Sequence, residues 1–398
     1  TPPRTMGGMN VADTKRRVND EIDRLVPRLL EVSHSIHAHP ELCFDEHHAH
    51  EVLTGVLEDE GLAVERGAYG LDTAFSARVG DRGPVIAVCS EYDALPGIGP
   101  ACGHNILAAA GLGAGLAAAL VAEELGGTVA ILGTPAEEGG GGTEFMTREG
   151  AIADVDAAMM VHPADPDLRT MQPIAIHTMN VEYTGEAAHA AAAPQKGRNA
   201  LDAAVLGYAN VAALRQHIRP DERIHGIFTS AGEKPNIVPD HTSAEWYVRS
   251  PTLGSLEPLK QRVVACLEAG AHATGCTMSH HWNDPPYADM VDNGPLLDLY
   301  VANAAELGRH TVEPDEHAVV VGSTDMGNVS YAVPSIHPMI KVAPEGVAIH
   351  SPDFAYHARS DDGDRSVVDG ARAMAATIVD CWTDAEAMTA IRGAFDPT

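Results

Sequence analysis

The sequence predicts an α/β protein, an open sheet flanked by helices and interrupted by a smaller βαββαβ module. Three observations carry that prediction. A strongly apolar run, Val85-Ile86-Ala87-Val88-Cys89, leads through a polar, Pro/Gly-rich loop into an Ala/Leu/Gly segment, residues 106–125, that is apolar on every side. Two later apolar runs, residues 128–132 and 156–163, also end on ionisable residues. Near residue 176 the texture then changes to strict alternation, with Met179, Val181 and Tyr183 on one face, as in a half-exposed antiparallel strand. The boundaries that follow are 11–177 for the first part of the larger domain, 178–290 for the inserted module and 291–398 for the remainder.

Each element has its own warrant. Residues 13–32 place Val18, Ile22, Leu25, Val26 and Leu29 at the spacing of an amphipathic helix. The next stretch holds His34, His37, His39, His47, His48 and His50. A metal site is one reading of it. The stronger reading is a solvated helix running to Glu60, with His39 at a turn before Pro40. In the module, residues 199–218 carry Leu201, Val205, Tyr208, Val211 and Leu214 at helical spacing. Strand-like runs at 224–230 and 242–249 precede a helix expected from Ser255, as N-cap, to Thr274, and a strand near 276–282 closes the unit. Beyond residue 293 a helix at 295–307 and the runs VVVGSTDMGNVS and HSPDF restore the earlier alternation.

The chain has 398 residues, enough for two domains. Its 56 acidic residues against 26 basic ones give a net charge of −30. That field argues against nucleic acid and anionic membrane as partners, since both require a basic surface. No apolar run is expected to reach the ~18 residues of a membrane span. The opening TPPRTMGGMN lacks a signal-like pattern and reads as a tail. Six scattered cysteines without C-x-x-C pairs suit a reduced compartment, so a cytoplasmic location is the expectation.

The chemistry gathers where the apolar runs end. The first delivers Glu91, Asp93, Cys102 and His104, the second Glu137-Glu138 before four glycines, and the third His162. A lone C-x-H is weak evidence, and a buried structural cysteine is its ordinary reading. Adjacent carboxylates at the end of a buried strand would repel in low dielectric unless a cation lies between them. A phosphate loop is the rival for the glycines, but no G-K-[ST] follows. In the module, His189 sits among small residues in GEAAHAAAAP, poor packing for a core imidazole, which favours a functional role.

The motifs HAHPELCFDE, EYDALPGIGPACGHN, TPAEE, VHP, GEAAHAAAAPQKGRNALDA, NIVPD, STDMGNVS and HSPDF resemble, in order, the aminoacylase and carboxypeptidase family of two-metal peptidases, metallopeptidase family twenty. DALP and ACGHN resemble its amidohydrolase branch. The resemblance implies an open mixed-sheet catalytic domain with an inserted ferredoxin-like lid that also dimerises. It implies hydrolysis of the amide bond of an N-acyl amino acid or small dipeptide with a free carboxylate, and a homodimer. It further implies two divalent ions, zinc by ligand type with manganese or cobalt as alternatives. By position, Cys102, His104, Glu138, His162 and His350 resemble the metal ligands and Glu137 the general base. His189 resembles a lid histidine serving a neighbouring subunit, where an oxyanion donor contributes about 3 kcal/mol. Asn236 and Arg249 resemble residues holding the substrate carboxylate. The sequence departs at Pro100, where many relatives have His, and at Glu91, where other branches place a ligand His; the latter favours Cys102 as ligand.

Two rivals stand beside this reading: a member that binds metal without turnover, and a cysteine hydrolase using Cys102 and His104. Their i, i+2 spacing on one loop suits a nucleophile–base pair poorly. The acidic composition favours a cationic product, which makes a dipeptidase specific for a basic C-terminal residue the alternative substrate reading.

Overall fold

The computed structural model describes residues 10–314 and 322–396. The opening tail and the VVV of VVVGSTDMGNVS lie outside them. The chain forms two compact units, one reaching Gln172 and resuming at Met290, the other Pro173–Asp289 with Gly322 and Ser323.

In the first unit, α1 (Val11–Ala38) and α2 (His47–Asp59) precede β1 (Val64–Arg66), β2 (Phe75–Val79) and β3 (Val85–Ser90). Helix α3 (His104–Leu125) leads to β4 (Thr128–Gly133), α4 (Gly142–Arg148), β5 (Ala157–Met159) and β6 (His162–Ala164). The expected third strand is therefore split at Met160-Val161. Its first half joins the main sheet and its second starts a two-stranded one. Helix α1 runs six residues past the predicted end, because Ser33 and Ile36 continue its buried stripe, and it carries His34 and His37.

The inserted unit runs β7 (Ala175–Thr184), α5 (Ala200–Leu214), β8 (Arg223–Ser230), β9 (His241–Ser250), α6 (Leu253–Thr274) and β10 (Thr277–Trp282). Its sheet has the order β10-β7-β9-β8, every pair antiparallel. Met179, Val181 and Tyr183 of β7 face its core, as their alternation requires. Helix α6 starts two residues before Ser255. Thr252 is the N-cap, and it forms a reciprocal capping box in which Ser255 is the third helical residue.

The first unit resumes with α7 (Gly294–Glu306), α8 (Met326–Ala332), β11 (Ser335–Ile336), β12 (Met339–Lys341), α9 (Pro352–His357), α10 (Asp361–Thr383) and α11 (Ala385–Gly393). The main sheet is β1-β2-β4-β3-β5-β11, parallel from β4 to β11 with an antiparallel β1-β2 edge, and β12 pairs in parallel with β6. Side chains alternate across it. Ile86, Val88, Val129 and Ile131 face the α1–α3–α10 side, whereas Ala87, Cys89, Ala130 and Leu132 face Met146, Met326 and Val329. Burial of both faces explains the unbroken apolar runs.

Helix α3 lies against this sheet so closely that a Cβ on Gly115 would stand 2.4 Å from Ile131 Cγ1. By length and composition α3 could cross a membrane, contrary to the expectation that no run would, but 89% of its apolar window is buried inside the unit. An all-round apolar helix is what a core position demands.

The early histidines have ordinary partners. His34 meets Asp364 at 2.7 Å, His37 the carbonyl of Ala355, His39 that of Ser35 and His48 the hydroxyl of Ser35. His50 is buried rather than solvated, on the face of α2 that packs inward. None of the six belongs to a candidate metal group among the described residues.

Candidate metal centre and active site

Strand β3 ends at Ser90, and Glu91 and Asp93 follow it into a fully buried position. Asp93 ties three segments together. Its Oδ1 is 3.1 Å from His104 Nδ1 at the start of α3, and its Oδ2 accepts from the Glu138 amide at 2.9 Å and the Cys43 thiol at 3.3 Å. With Nδ1 donating to Asp93, the Nε2 of a neutral His104 carries the free lone pair. The turn at Cys102-Gly103 needs its glycine. Gly103 has φ +83°, and a Cβ there would meet Pro163 Cβ at 2.9 Å, so its absence lets the loop settle onto β6. His162 opens β6. Its Nδ1 is 2.8 Å from the Pro163 carbonyl, which leaves Nε2 facing Cys102 Sγ at 3.4 Å.

Glu137 and Glu138 follow β4 through Ala136, whose φ of +63° is uncommon for a residue with a Cβ. The buried Glu46 carboxylate holds that turn, accepting from the Ala136 amide at 2.9 Å, the Phe44 amide at 2.8 Å and the Thr73 hydroxyl at 2.8 Å. His350, also at φ +63°, donates its amide to Ala101 at 2.8 Å and brings Nε2 to 3.4 Å from Glu138 Oε1. Strained backbone at both places is consistent with side chains aimed at a common point.

Three groups of potential ligand atoms result, each within 4.8 Å: Cys102–His104–His162, Cys102–Glu138–His350 and Glu91–His104–Glu137. The five expected ligands thus form two triads sharing Cys102 Sγ, with Glu137 adjoining. His104 Nε2 lies 3.6 Å from Glu91 and 3.8 Å from Glu137. Both oxygens of Glu91, His104 Nε2, Glu138 Oε1 and Asp325 Oδ1 are buried with no hydrogen-bond partner among the described residues. Each costs about 1–3 kcal/mol if left so, and their clustering fits a cation.

The electrostatics agree. Burial, reinforced by neighbouring carboxylates, pushes Glu91 and Glu137 well above the usual carboxylate range. Burial also works against a charged His104, but the hydrogen bond and charge of Asp93, with Glu91, outweigh it and raise its pKa to about 10. Glu138 is held low against its burial by His350 and His104. The site demands positive charge, and thiol, imidazole and carboxylate donors suit a divalent metal. The structure also pairs Cys102 with His162 rather than His104, but burial lifts the Cys102 thiol and depresses His162. Both shifts oppose the thiolate–imidazolium pair a cysteine hydrolase needs. Cys102→Ser is expected to weaken metal binding on the order of tenfold or more, the loss that even outer-shell changes bring. Chelator competition measures it, and unchanged affinity would assign Cys102 to packing.

His189, Asn236 and Arg249 belong to the inserted unit. His189 is exposed on a turn, where its Nδ1 accepts the amides of Ala191 at 3.3 Å and Ala192 at 3.1 Å. With Nδ1 accepting, Nε2 is the ring nitrogen left to donate. Backbone pairing sets Asn236 beside it, the Asn236 carbonyl accepting from Ala190 at 3.0 Å. Arg249, on β9, donates to Ser323 Oγ at 3.1 Å. It has no carboxylate at ion-pair distance among the described residues, and burial lowers its pKa.

Four contributors went unread in the sequence. Glu46, the last residue of HAHPELCFDE, and Asp325, in STDMGNVS, each lay in a motif matched without a role. Asp93 was noticed but given no task, although its place two residues after Glu91 at a strand end was a signal. His337, buried and ring-stacked on His162 at 5.4 Å, follows a run too short to mark a strand.

The description Peptidase family M20/M25/M40 matches residues 87–380, and the chain belongs to that family. A mouse (Mus musculus) protein named Xaa-Arg dipeptidase is 37% identical over 395 residues, covering 95% of this chain and 91% of its own. A p-aminobenzoyl-glutamate hydrolase subunit of Escherichia coli (strain K12) is 30% identical over 442 residues, covering 93% and 92%. In fold, the chain is similar to the Bacillus subtilis YXEP protein, described as a dinuclear metal binding peptidase, with a TM-score of 0.71 at 21% identity over 91% of this chain and 99% of that one. The family and these relatives make the chain a metallo-amidohydrolase.

Proposed function

We propose that this chain is a two-metal dipeptidase that releases a basic C-terminal residue from a short peptide. The observation that carries the reading is the pair of ligand triads meeting at Cys102 Sγ with Glu137 alongside. Cys102, His104 and His162 would hold one ion, and Cys102, Glu138 and His350 the other, with zinc favoured by the donor types. When bound, such ions polarise an amide carbonyl and acidify water. The remaining work falls to the protein. Glu137, whose carboxyl is raised by burial, takes the proton of the attacking water and passes it to the leaving nitrogen. His189 donates Nε2–H to the developing oxyanion, and Arg249 with Asn236 holds the substrate carboxylate. The Xaa-Arg names of the relatives and the net charge of −30 both support a cationic leaving residue.

The same reading makes the protein a homodimer joined through the inserted unit. Support comes from β8, an edge strand with Ile227 at 63% exposure, and from Val205, Leu206 and Tyr208, exposed together on α5.

An amine-release assay tests the substrate. Xaa-Arg and Xaa-Lys dipeptides are expected to exceed N-acetyl amino acids and aminobenzoyl-glutamate in kcat/KM by about tenfold or more, the worth of one charge-assisted contact. A strong chelator should abolish the activity, and zinc or manganese should restore it. Activity surviving metal removal would overturn the metal reading, and equal rates on N-acyl amino acids would overturn the dipeptide reading.

A further inference from the structure

The inserted unit holds a cavity of about 460 Å³ that the chemistry described above does not use. It opens between the turn that follows α5 and the N-terminal part of α6, and His217, Arg219, Glu222 and Arg262 are among its lining residues. His189, Asn236 and Arg249 do not line it. Its size lies within the roughly 300–1,000 Å³ of small-molecule sites. The turn is closed reciprocally. The Glu222 amide donates to the Arg219 carbonyl at 3.1 Å, and Glu222 Oε2 accepts from the Arg219 amide at 2.8 Å. The one carboxylate among the lining residues is thereby committed to the backbone of its own turn. Arg262 Nη2 donates to the His217 carbonyl at 3.0 Å, which ties α6 to the same turn.

The charge around this cavity runs against that of the chain, whose net charge is −30. Elsewhere arginines find carboxylates readily: Arg17, Arg66, Arg78, Arg309 and Arg392 each meet one within 2.9 Å. Arg219 and Arg262 have no carboxylate at ion-pair distance among the described residues. Nor do Arg215 and Arg223 on the same turn, whose guanidinium groups donate to the carbonyls of Ile224 at 2.9 Å and Glu222 at 2.7 Å. Glu257, on α6, is taken up by Lys260 at 2.8 Å. Four cationic side chains are thus gathered at one turn without a carboxylate partner, and two of them line a cavity of ligand size. A guanidinium presents a planar fork of N–H donors that fits a carboxylate or phosphate group through two bonds at once. We propose that this cavity binds a small dianionic oxyanion, a phosphate or a dicarboxylate, through Arg219 and Arg262 with His217 alongside. The proposal is independent of the metal reading.

Calorimetric titration of the full chain with inorganic phosphate, and separately with succinate, tests this at low ionic strength, where screening is weak. The wild type is expected to bind at least one of them with a Kd of about 1 mM or lower. Arg219→Ala and Arg262→Ala should each weaken that binding about tenfold or more, the loss of a charge-assisted contact. Arg262→Lys keeps the charge but not the fork and should recover only part of it. Arg262→Ala also removes the bond to His217, so a fold defect there leaves Arg219→Ala, an exposed side chain, to carry the test. Arg249→Ala should bind as the wild type does. Whichever ion binds more tightly through the two arginines identifies the ligand group as phosphate or carboxylate. Absence of binding to both ions at 10-fold the expected Kd, about 10 mM, would overturn the proposal. So would binding that Arg219→Ala leaves unchanged, which would put the ion elsewhere, or binding lost in Arg249→Ala, which would put it where the substrate carboxylate is held.

Discussion

Glu138→Ala is expected to purify without its full metal content and without activity, whereas Glu137→Ala should keep its metal and lose turnover by about two to four orders of magnitude, the range of a general base. The two residues are consecutive in the loop after β4, Glu137 buried and Glu138 only partly so, and their surroundings differ. Glu138 is fixed by the Asp93 contact to its amide and reaches His350 at 3.4 Å, within a triad that includes Cys102. Glu137 turns to the other side, where His104 Nε2 is 3.8 Å away and Glu91 adds negative charge. Removing a ligand deletes a bond to the ion, while removing the base leaves the donors in place. Metal analysis alongside kcat reads both effects. The Glu91–His104–Glu137 group makes the alternative concrete, because a ligand role for Glu137 would cost metal in both variants equally. That result would replace the division of labour proposed here.

The second large effect is a recovery rather than a loss. If His189 completes the site of the partner subunit, Glu137→Ala and His189→Ala should each be nearly inactive alone, and their mixture should regain activity. In a mixed two-fold dimer one site carries both defects and the other neither. Random exchange therefore returns about a quarter of the wild-type rate. A histidine serving its own subunit leaves one defect in every site, and nothing returns. Absence of recovery, with exchange confirmed by differently tagged subunits, would reject the cross-subunit role. The exposed imidazole of His189 motivates the test, since no neighbour in its own turn uses Nε2.

How far the sequence could be read depended on whether a feature was local. The unbroken apolar runs at 85–89 and 128–132 announced strands buried on both faces, because sheet burial leaves no room for polar alternation. The alternation of Met179, Val181 and Tyr183 announced a one-faced strand for the same reason in reverse. The candidate ligands were legible too, since Cys102, His104, Glu138, His162 and His350 stand at the ends of such runs or in short motifs, and the fold brings their donor atoms together. What sequence could not decide was which atoms meet. The split of one apolar run between β5 and β6 depends on β11 and β12, nearly two hundred residues later, offering two separate pairing partners. The pairing of Cys102 with His162, the three-way grip of Asp93 and the Glu46 clamp on Ala136 join segments remote in sequence. His337 shows the limit most clearly. An isolated histidine after a two-residue strand carries no periodic signal, and only tertiary packing buries it on His162 with both nitrogens unpaired. Local pattern is written by the face each residue must bury, and it determined the elements. Long-range contact is chosen by the competition of all those elements for one core, and that decided the site.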